Sequence, residues 1–406
     1  MSCFIVCALG FEEQVRNEVL EVWPYLLSPQ SVRHGLPPPG MQIHKGGVEV
    51  ECEFFTAVQF NFFLKTATRV LWRIGDFKVK DFPKLFQKLS SFPWSTYFHP
   101  QQKVAAKISA QSSRLGHEKR IEKVLQDVFV AKKINWISFA GSSDKSAHAS
   151  LYIRMLDDHC WLSLDLSGEP LYKRGWSHLK GEAPLRESIA AWILLQMTAL
   201  HNFSFLKKVE LIDPFCGSGT FLNEAMTMTT PLWSQRNFSF QTLKCVPKLF
   251  LSEKFQQNYK LPSPGMWKKL LGFDINKDVL NLAKQQMFIG PSPFHFEEQD
   301  FWASENTKPR EENTVRWVVG NPPYGERLHW QGSAAVKNGN FTLCDILQQI
   351  HCKWNPHKVA LLTPIAWAVD RPLPFVLDAK CEVIENGGLK VKIWFFEFAQ
   401  VVNQVL

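Results

Sequence analysis

Two hydrophobic rhythms divide the chain. In the first, apolar and polar positions alternate in short runs. Residues 3–9 form an apolar strand leading into a helix over about 11–23, with Val15, Val19 and Val22 on one face. Val48, Val50, Cys52 and Phe54 alternate with Glu49, Glu51 and Glu53, the period of a half-buried strand. Helical patterns cover about 56–73 and 119–132, and alternating strands recur at 104–110, 151–155 and 161–166. The second rhythm has apolar strands without alternation, at 209–212, 270–273, 316–319 and 359–362, separated by helices. Buried strands of that kind predict a mostly parallel sheet covered on both faces. Residues 381–398 read as two strands joined at Asn386-Gly-Gly388, a hairpin on one edge. Ser167-Gly-Glu-Pro170 and Gly181-Glu-Ala-Pro184 place the junction of the two halves within 167–185.

Composition removes several classes. At 406 residues, 45% hydrophobic and 21% charged, the chain can bury cores, which excludes disordered and collagen-like readings. The longest uncharged run, 188–206, is interrupted by Gln196, Thr198, His201 and Asn202 and is too short in apolar residues for a membrane span. The start lacks the basic region of a signal peptide. Nine cysteines never fall as CxxC and twelve histidines show no ligand spacing, which predicts reduced thiols, a cytoplasmic location and no metal. The net charge of +8 is uneven: residues 1–180 hold 23 Lys and Arg against 17 Asp and Glu, and between 60 and 133 the balance is 15 against 5. Such a stripe suits a phosphate backbone, with Lys103, Lys107, Arg114, Lys119, Arg120 and Lys123 as candidate contacts.

The second half carries the chemistry. Asp213-Pro-Phe-Cys-Gly-Ser-Gly-Thr220 ends a buried strand and opens a helix. Gly217 and Gly219 allow a tight turn and close approach of a ligand. Leucine at 222 removes the third glycine of a dinucleotide fingerprint, and Thr220 replaces the lysine of a P-loop. Asp213 ahead of the glycines would repel a pyrophosphate but suits a ligand bearing a cation, such as S-adenosylmethionine. Asp274 in Gly272-Phe-Asp-Ile-Asn276, followed by Ile275, ends the next strand and suits ribose hydroxyls. Asp300, followed by Phe301, ends a third and could accept from an adenine amine. Cys216 lies in the glycine loop without a His or Asp partner in register, which argues against a nucleophile. The sharpest motif is Gly320-Asn-Pro-Pro-Tyr-Gly-Glu-Arg-Leu328. Its prolines, Pro322 and Pro323, stiffen a loop at the strand end. Asn321 and the Pro322 carbonyl can accept both hydrogens of a planar amine, while Tyr324 stacks on the ring that bears it.

These motifs resemble the class I, Rossmann-like S-adenosylmethionine-dependent N-methyltransferases with an NPPY loop. The resemblance is closer still to the THUMP-containing RNA methyltransferases, in particular the RlmL-type enzymes that methylate guanine N2 in 23S rRNA. It is carried by Ala8-Leu-Gly-Phe-Glu-Glu13, Gly46-Gly-Val48, residues 113–123, Leu164-Asp-Leu-Ser-Gly168, Arg174-Gly-Trp176 and Ala183-Pro-Leu-Arg-Glu187, besides 213–220 and 321–328. What the resemblance implies is a ferredoxin-like segment (1–45), a THUMP RNA-binding domain (46–166), a linker (167–185) and a methyltransferase domain (186–406). It also implies that Asp213, Gly217, Gly219, Asp274 and Asp300 hold the cofactor, that Asn321, Pro322 and Tyr324 hold a flipped base, and that 183–187 border the cofactor. NPPY also occurs in adenine-N6 DNA and glutamine-N5 protein methyltransferases; the basic first half favours RNA. A tRNA guanine-N2 enzyme, a DNA methyltransferase and an RNA-binding assembly factor with a dead pocket are the alternatives. Residues 230–267 read as an insertion of helical character that borders the RNA path.

Overall fold

Alternation in the first half builds a sheet with one dry face. In the computed structural model, residues 1–27, 37–137, 148–175, 185–199, 209–228, 236–252, 267–285, 293–303, 314–323, 341–386 and 389–400 are described. They fall into two units, residues 1–174 with 230–261, and residues 175–229 with 262–406. The first unit contains β1 (Ser2–Val6), α1 (Glu12–Val22), β2 (Met41–His44), β3 (Gly47–Glu51), α2 (Phe54–Phe63), β4 (Arg69–Lys78), α3 (Phe82–Ser91), β5 (Lys103–Gln111), α4 (Glu118–Ala131), β6 (Asn135–Ile137), β7 (Ala149–Leu156) and β8 (His159–Asp165). The strands form one sheet in the order β2-β3-β1-β4-β8-β7-β5-β6. One alternate set is fully or nearly fully buried, among them Cys3, Ile5, Val48, Val50, Val70, Leu151, Ile153, Leu162 and Leu164, as are Val15, Val19 and Val22 of α1.

Three expectations change here. The helical pattern over 56–73 stops early: α2 ends at Phe63 and Arg69 to Arg73 belong to β4, because Val70 and Trp72 fill the sheet core while β4 pairs with β1 and β8. The alternation over 48–54 also ends early, at Glu51, since Phe54 opens α2. Nor do residues 1–45 form a segment apart from 46–166. β1 pairs with both β3 and β4, so hydrogen bonds run straight across that boundary.

The described part of the insertion, 236–252, belongs to the first unit rather than to a continuous 186–406 domain. It forms two short 3-10 turns, Ser239–Thr242 and Lys248–Leu251, and no α-helix. Phe238, Phe240 and Phe250 are buried around Phe62 of α2, with ring centroids 5.6, 5.8 and 5.9 Å away. Arg236 donates to the carbonyl oxygens of Ser167, Glu169, Pro170 and Lys173, closing the chain that leaves β8. Burial and the neighbouring Arg174 pull its guanidinium down to about 10.

The second unit contains α5 (Glu187–Ala199), β9 (Val209–Asp213), α6 (Thr220–Thr227), β10 (Trp267–Asp274), α7 (Lys277–Gln285), β11 (Phe294–Glu298), β12 (Val315–Gly320), α8 (Leu343–Trp354), β13 (Lys358–Pro364), β14 (Val376–Asn386) and β15 (Leu389–Phe398). Its sheet order is β11-β10-β9-β12-β13-β15-β14. Neighbours from β11 to β13 pair in parallel, and β15 runs antiparallel to both β13 and β14. Every residue of β9 and β12 is buried, which is why their sequences show no alternation. The edge hairpin is present, and Phe395 and Phe396 of β15 point into core on alternate sides. No helix among the described residues is long and apolar enough to cross a membrane.

Arg236→Ala removes a half-buried cation that four carbonyl oxygens share, so it is expected to destabilise the protein by about 1–3 kcal/mol. Thermal denaturation measures this, and Arg236→Lys should recover part of the loss.

Candidate active site

β9 lies between β10 and β12, so the chain leaves it towards one side of the sheet and β12 towards the other. Beyond the carboxyl ends of two such strands lies the crevice where open α/β sheets take their ligands. Asp213 closes β9 with 1% exposure, and its Oδ1 accepts the Phe215 N–H at 3.1 Å. The following loop folds back at once. The Cys216 N–H donates to the Phe273 carbonyl of β10 at 2.9 Å, and the Gly219 N–H donates to the Cys216 carbonyl at 2.7 Å. Gly217 (φ 49°) and Gly219 (φ 82°) occupy left-handed backbone conformations that a Cβ would strain. Gly219 caps α6, whose first residue, Thr220, is half-buried.

Asp274 at the end of β10 ties this loop down. Its Oδ2 accepts the Gly217 N–H and its Oδ1 the Asn276 N–H, both at 2.9 Å, and half-buried Ile275 follows. Burial pushes the Asp213 carboxyl well above the usual carboxylate range, and the charge of Asp274 adds to the push. Asp274 is raised by burial too, against the pull of its backbone N–H partners. Two desolvated carboxyls in one crevice favour a ligand that brings positive charge and hydroxyl donors. Burial, then Asp213 and Asp274, also push the Cys216 thiol far up, so it stays protonated and unreactive, as the lack of a base partner implies.

The third acid sits in the turn after β11, where Asp300 Oδ1 accepts the Trp302 N–H at 2.9 Å. Phe301 is a core ring, 6% exposed and 4.7 Å from Phe215 by centroid. After β12, Pro322 is buried and Asn321 and Pro323 are half-buried. Asn321 Oδ1 is itself buried and accepts no hydrogen bond from the described residues. Tyr324 and the rest of the motif to Leu328 lie outside the described residues, as do Ala183 and Pro184; Leu185 and Glu187 are buried.

Sequence reasoning missed two residues of this region. Asn223, 6% exposed on α6, also keeps a buried side-chain oxygen without a described donor. The signal was a polar residue in the apolar run Phe221-Leu-Asn-Glu-Ala225. Gly272 on β10 lets the Phe296 ring and Leu222 come close, since a Cβ there would meet them at 2.7 and 2.9 Å.

The basic candidates do not form one group. Lys103 and Lys107 are exposed along β5, and Lys119, Arg120 and Lys123 on α4. Several are engaged: Arg114 with Asp158 at 3.8 Å, Lys123 with Asp127 at 2.9 Å, and Arg120 over the Phe82 ring at 4.0 Å.

With this geometry, comparison with known proteins is informative. Residues 174–337 match the family model described as RMKL-like, methyltransferase domain. The chain is 27% identical over 346 residues to the ribosomal RNA large subunit methyltransferase K/L of Psychromonas ingrahamii, covering 81% of this chain and 42% of that protein. It thus spans less than half the length of the K/L relatives it matches. Among solved structures, SMU.472 complexed with SAH superposes with a TM-score of 0.69 at 22% identity, covering 98% of both chains. TrmN from Thermus thermophilus superposes with a TM-score of 0.67 at 16% identity, covering 98% of this chain and 99% of that one. The fold is that of the class I methyltransferases, and the cofactor such a fold takes is S-adenosylmethionine. The loop of 213–220 and Asp274 suit it: buried acceptors for its amine and hydroxyls, and no phosphate cradle.

A carboxyl whose folded pKa is raised favours folding below its usual value near 3.8 and loses that contribution as pH rises through the folded value. Asp213→Asn is therefore expected to raise the melting temperature of the ligand-free protein at neutral pH. It should weaken S-adenosylmethionine binding roughly tenfold or more, the worth of a hydrogen bond to a charged group. Thermal denaturation and titration calorimetry check the two effects.

Proposed function

Starting from a chain whose residues 174–337 match an RMKL-like methyltransferase domain, we propose that it methylates the exocyclic N2 amine of a guanosine in large-subunit rRNA. The observation that carries this reading is Asn321 Oδ1, a buried acceptor without a described donor at the switch-point end of β12. Leaving such an acceptor unmade costs about 1–3 kcal/mol, which an incoming N–H group offsets. Asn321 Oδ1 and the Pro322 carbonyl accept the two amine hydrogens, drawing the nitrogen towards pyramidal geometry and directing its lone pair. Pro323 holds the loop stiff and Tyr324 stacks on the base, which must leave its helical stack to enter. Asp213, Gly217, Gly219, Thr220 and the Cys216 backbone, with Asp274–Ile275 and Asp300–Phe301, hold the cofactor. S-adenosylmethionine, when bound, supplies a methyl carbon made electrophilic by its sulfonium. No strong base is needed, because the methylated nitrogen sheds its proton readily; the residues act by position and electrostatics. RNA as substrate is supported by the basic first unit, read as THUMP-like, and by similarity to K/L over 81% of the chain. The choice of guanine rests on the resemblance of the motifs.

Nucleoside mass spectrometry on separately purified rRNA and tRNA, from cells with and without the gene, tests substrate and reaction together. Loss of N2-methylguanosine from large-subunit rRNA is expected. Loss from tRNA alone keeps the chemistry and moves the substrate, and no change in either overturns the reading. In vitro, Asn321→Ala should lower kcat about 100-fold, the scale of a lost transition-state hydrogen bond, while S-adenosylmethionine binding by calorimetry stays within about twofold. Unimpaired turnover would refute the amine clamp.

A further inference from the structure

The two faces of the first unit's sheet differ. One is the apolar core. On the other, strand register aligns side chains in rows across β5, β7, β8 and β4. Lys107, Tyr152, Ser163 and Arg73 form one row, Ser109, Arg154, Trp161 and Asp76 the next, and Gln111, Leu156, His159 and Lys78 a third. Lys107, Ser109, Gln111, Asp76 and Lys78 are exposed, and Tyr152, Arg154, Trp161 and His159 half-buried. The Trp161 and His159 rings lie stacked, centroids 4.3 Å apart at 26°, and Asp76 Oδ2 holds the His159 ring at 2.9 Å. Tyr152 lies beneath two cations, Lys107 Nζ at 5.9 Å and Arg69 at 5.5 Å from its centroid. In these three rows four cations face one acid, so the surface complements an anionic chain.

We infer that this sheet face, with Trp161 and His159 as stacking rings and Lys107, Arg154 and Lys78 as phosphate contacts, is a platform for single-stranded RNA. Aromatic rings interleaved with cations on a flat sheet suit unstacked bases, whereas a duplex offers its phosphates but hides its base faces. The exposed side of α4 carries Lys119, Arg120 and Lys123 beside the acids Glu118 and Asp127, with Lys123 paired to Asp127 and Arg120 over the Phe82 ring, and α4 itself presents no exposed aromatic ring. The inference rests on the reading of the chain as an RNA enzyme and assigns where its substrate strand lies.

The test uses the full chain and a fluorescein-labelled oligouridine of about 12 nucleotides, within the ~4–16 that such platforms cover. Anisotropy titration should show Trp161→Ala weakening binding about tenfold, with Trp161→Phe close to wild type. Lys107→Ala with Arg154→Ala should reduce the salt slope by roughly one to two. Lys119→Ala with Lys123→Ala should change neither quantity. Thermal denaturation and circular dichroism of each variant confirm that the first unit is folded. The inference is overturned if Trp161→Ala binds like wild type, or if an RNA duplex or polyglutamate competes as well as the oligouridine. Wild-type methylation of RNA with an unaffected Trp161→Ala would remove the platform alone; wild type without RNA binding or RNA methylation would remove the proposed function as well.

Discussion

A parallel sheet buried on both faces has no face left for chemistry. Helices cover β9 and β12, so polar groups can reach a ligand only where the strands end. Everything at the candidate site follows from that constraint. Asp213, Asp274 and Asn321 each stand at or just past the last residue of a strand, and the reversal of strand order between β9 and β12 keeps the space in front of them open. The glycine loop turns the chain from β9 into α6 while leaving that space clear. Its two left-handed residues bring the Gly217 N–H onto Asp274, which together with the Cys216 N–H on the Phe273 carbonyl ties the loop to the end of β10.

The same geometry makes the ligand-free site costly. Asp213 is desolvated, Asp274 repels it, and Asn321 and Asn223 each carry a buried oxygen without a described donor. Buried polar groups in a stable core are normally satisfied. Other buried atoms without a described partner, such as Trp394 Nε1 and Asn355 Oδ1, lie away from the site. It is the position of Asn321 just past β12, next to β9 in the sheet, that marks it for a ligand. The cost of the ligand-free site also explains why substitutions that relax the site are expected to stabilise the protein and impair it together.

The first unit follows a different rule. Its mixed sheet is dry along one side, and the opposite side is buried at Phe4, Leu71, Ala105 and Asp165 but open at Lys107, Ser109, Gln111, Asp76 and Lys78, so only that part is available as a surface. The aromatic cluster of Phe62, Phe238, Phe240 and Phe250 adds a segment that the chain delivers from between β9 with α6 and β10. That return is a long-range event. Local pattern could mark residues 230–267 as extra to a minimal nucleotide-binding unit, but not that their phenylalanines complete the other unit's core.

Local patterns determined much of this protein. The non-alternating strands of the second half, the edge hairpin, the three strand-end acids and the glycine loop were all legible, because burial on both faces and tight turns demand particular residue types at adjacent positions. The pattern over 56–73 misled, since Val70 and Trp72 fit a helical stripe as well as an alternating strand until β1 and β8 supply partners. Tertiary structure alone decided which strands neighbour each other, and hence that Asp274 binds the Gly217 N–H, that Asn321 keeps a buried oxygen without a donor among the described residues, and that Lys107 and Trp161 share a face while Lys119 and Lys123 do not. Periodicity in a sequence specifies which side of an element is dry; which partner dries it depends on contacts between residues far apart in the chain.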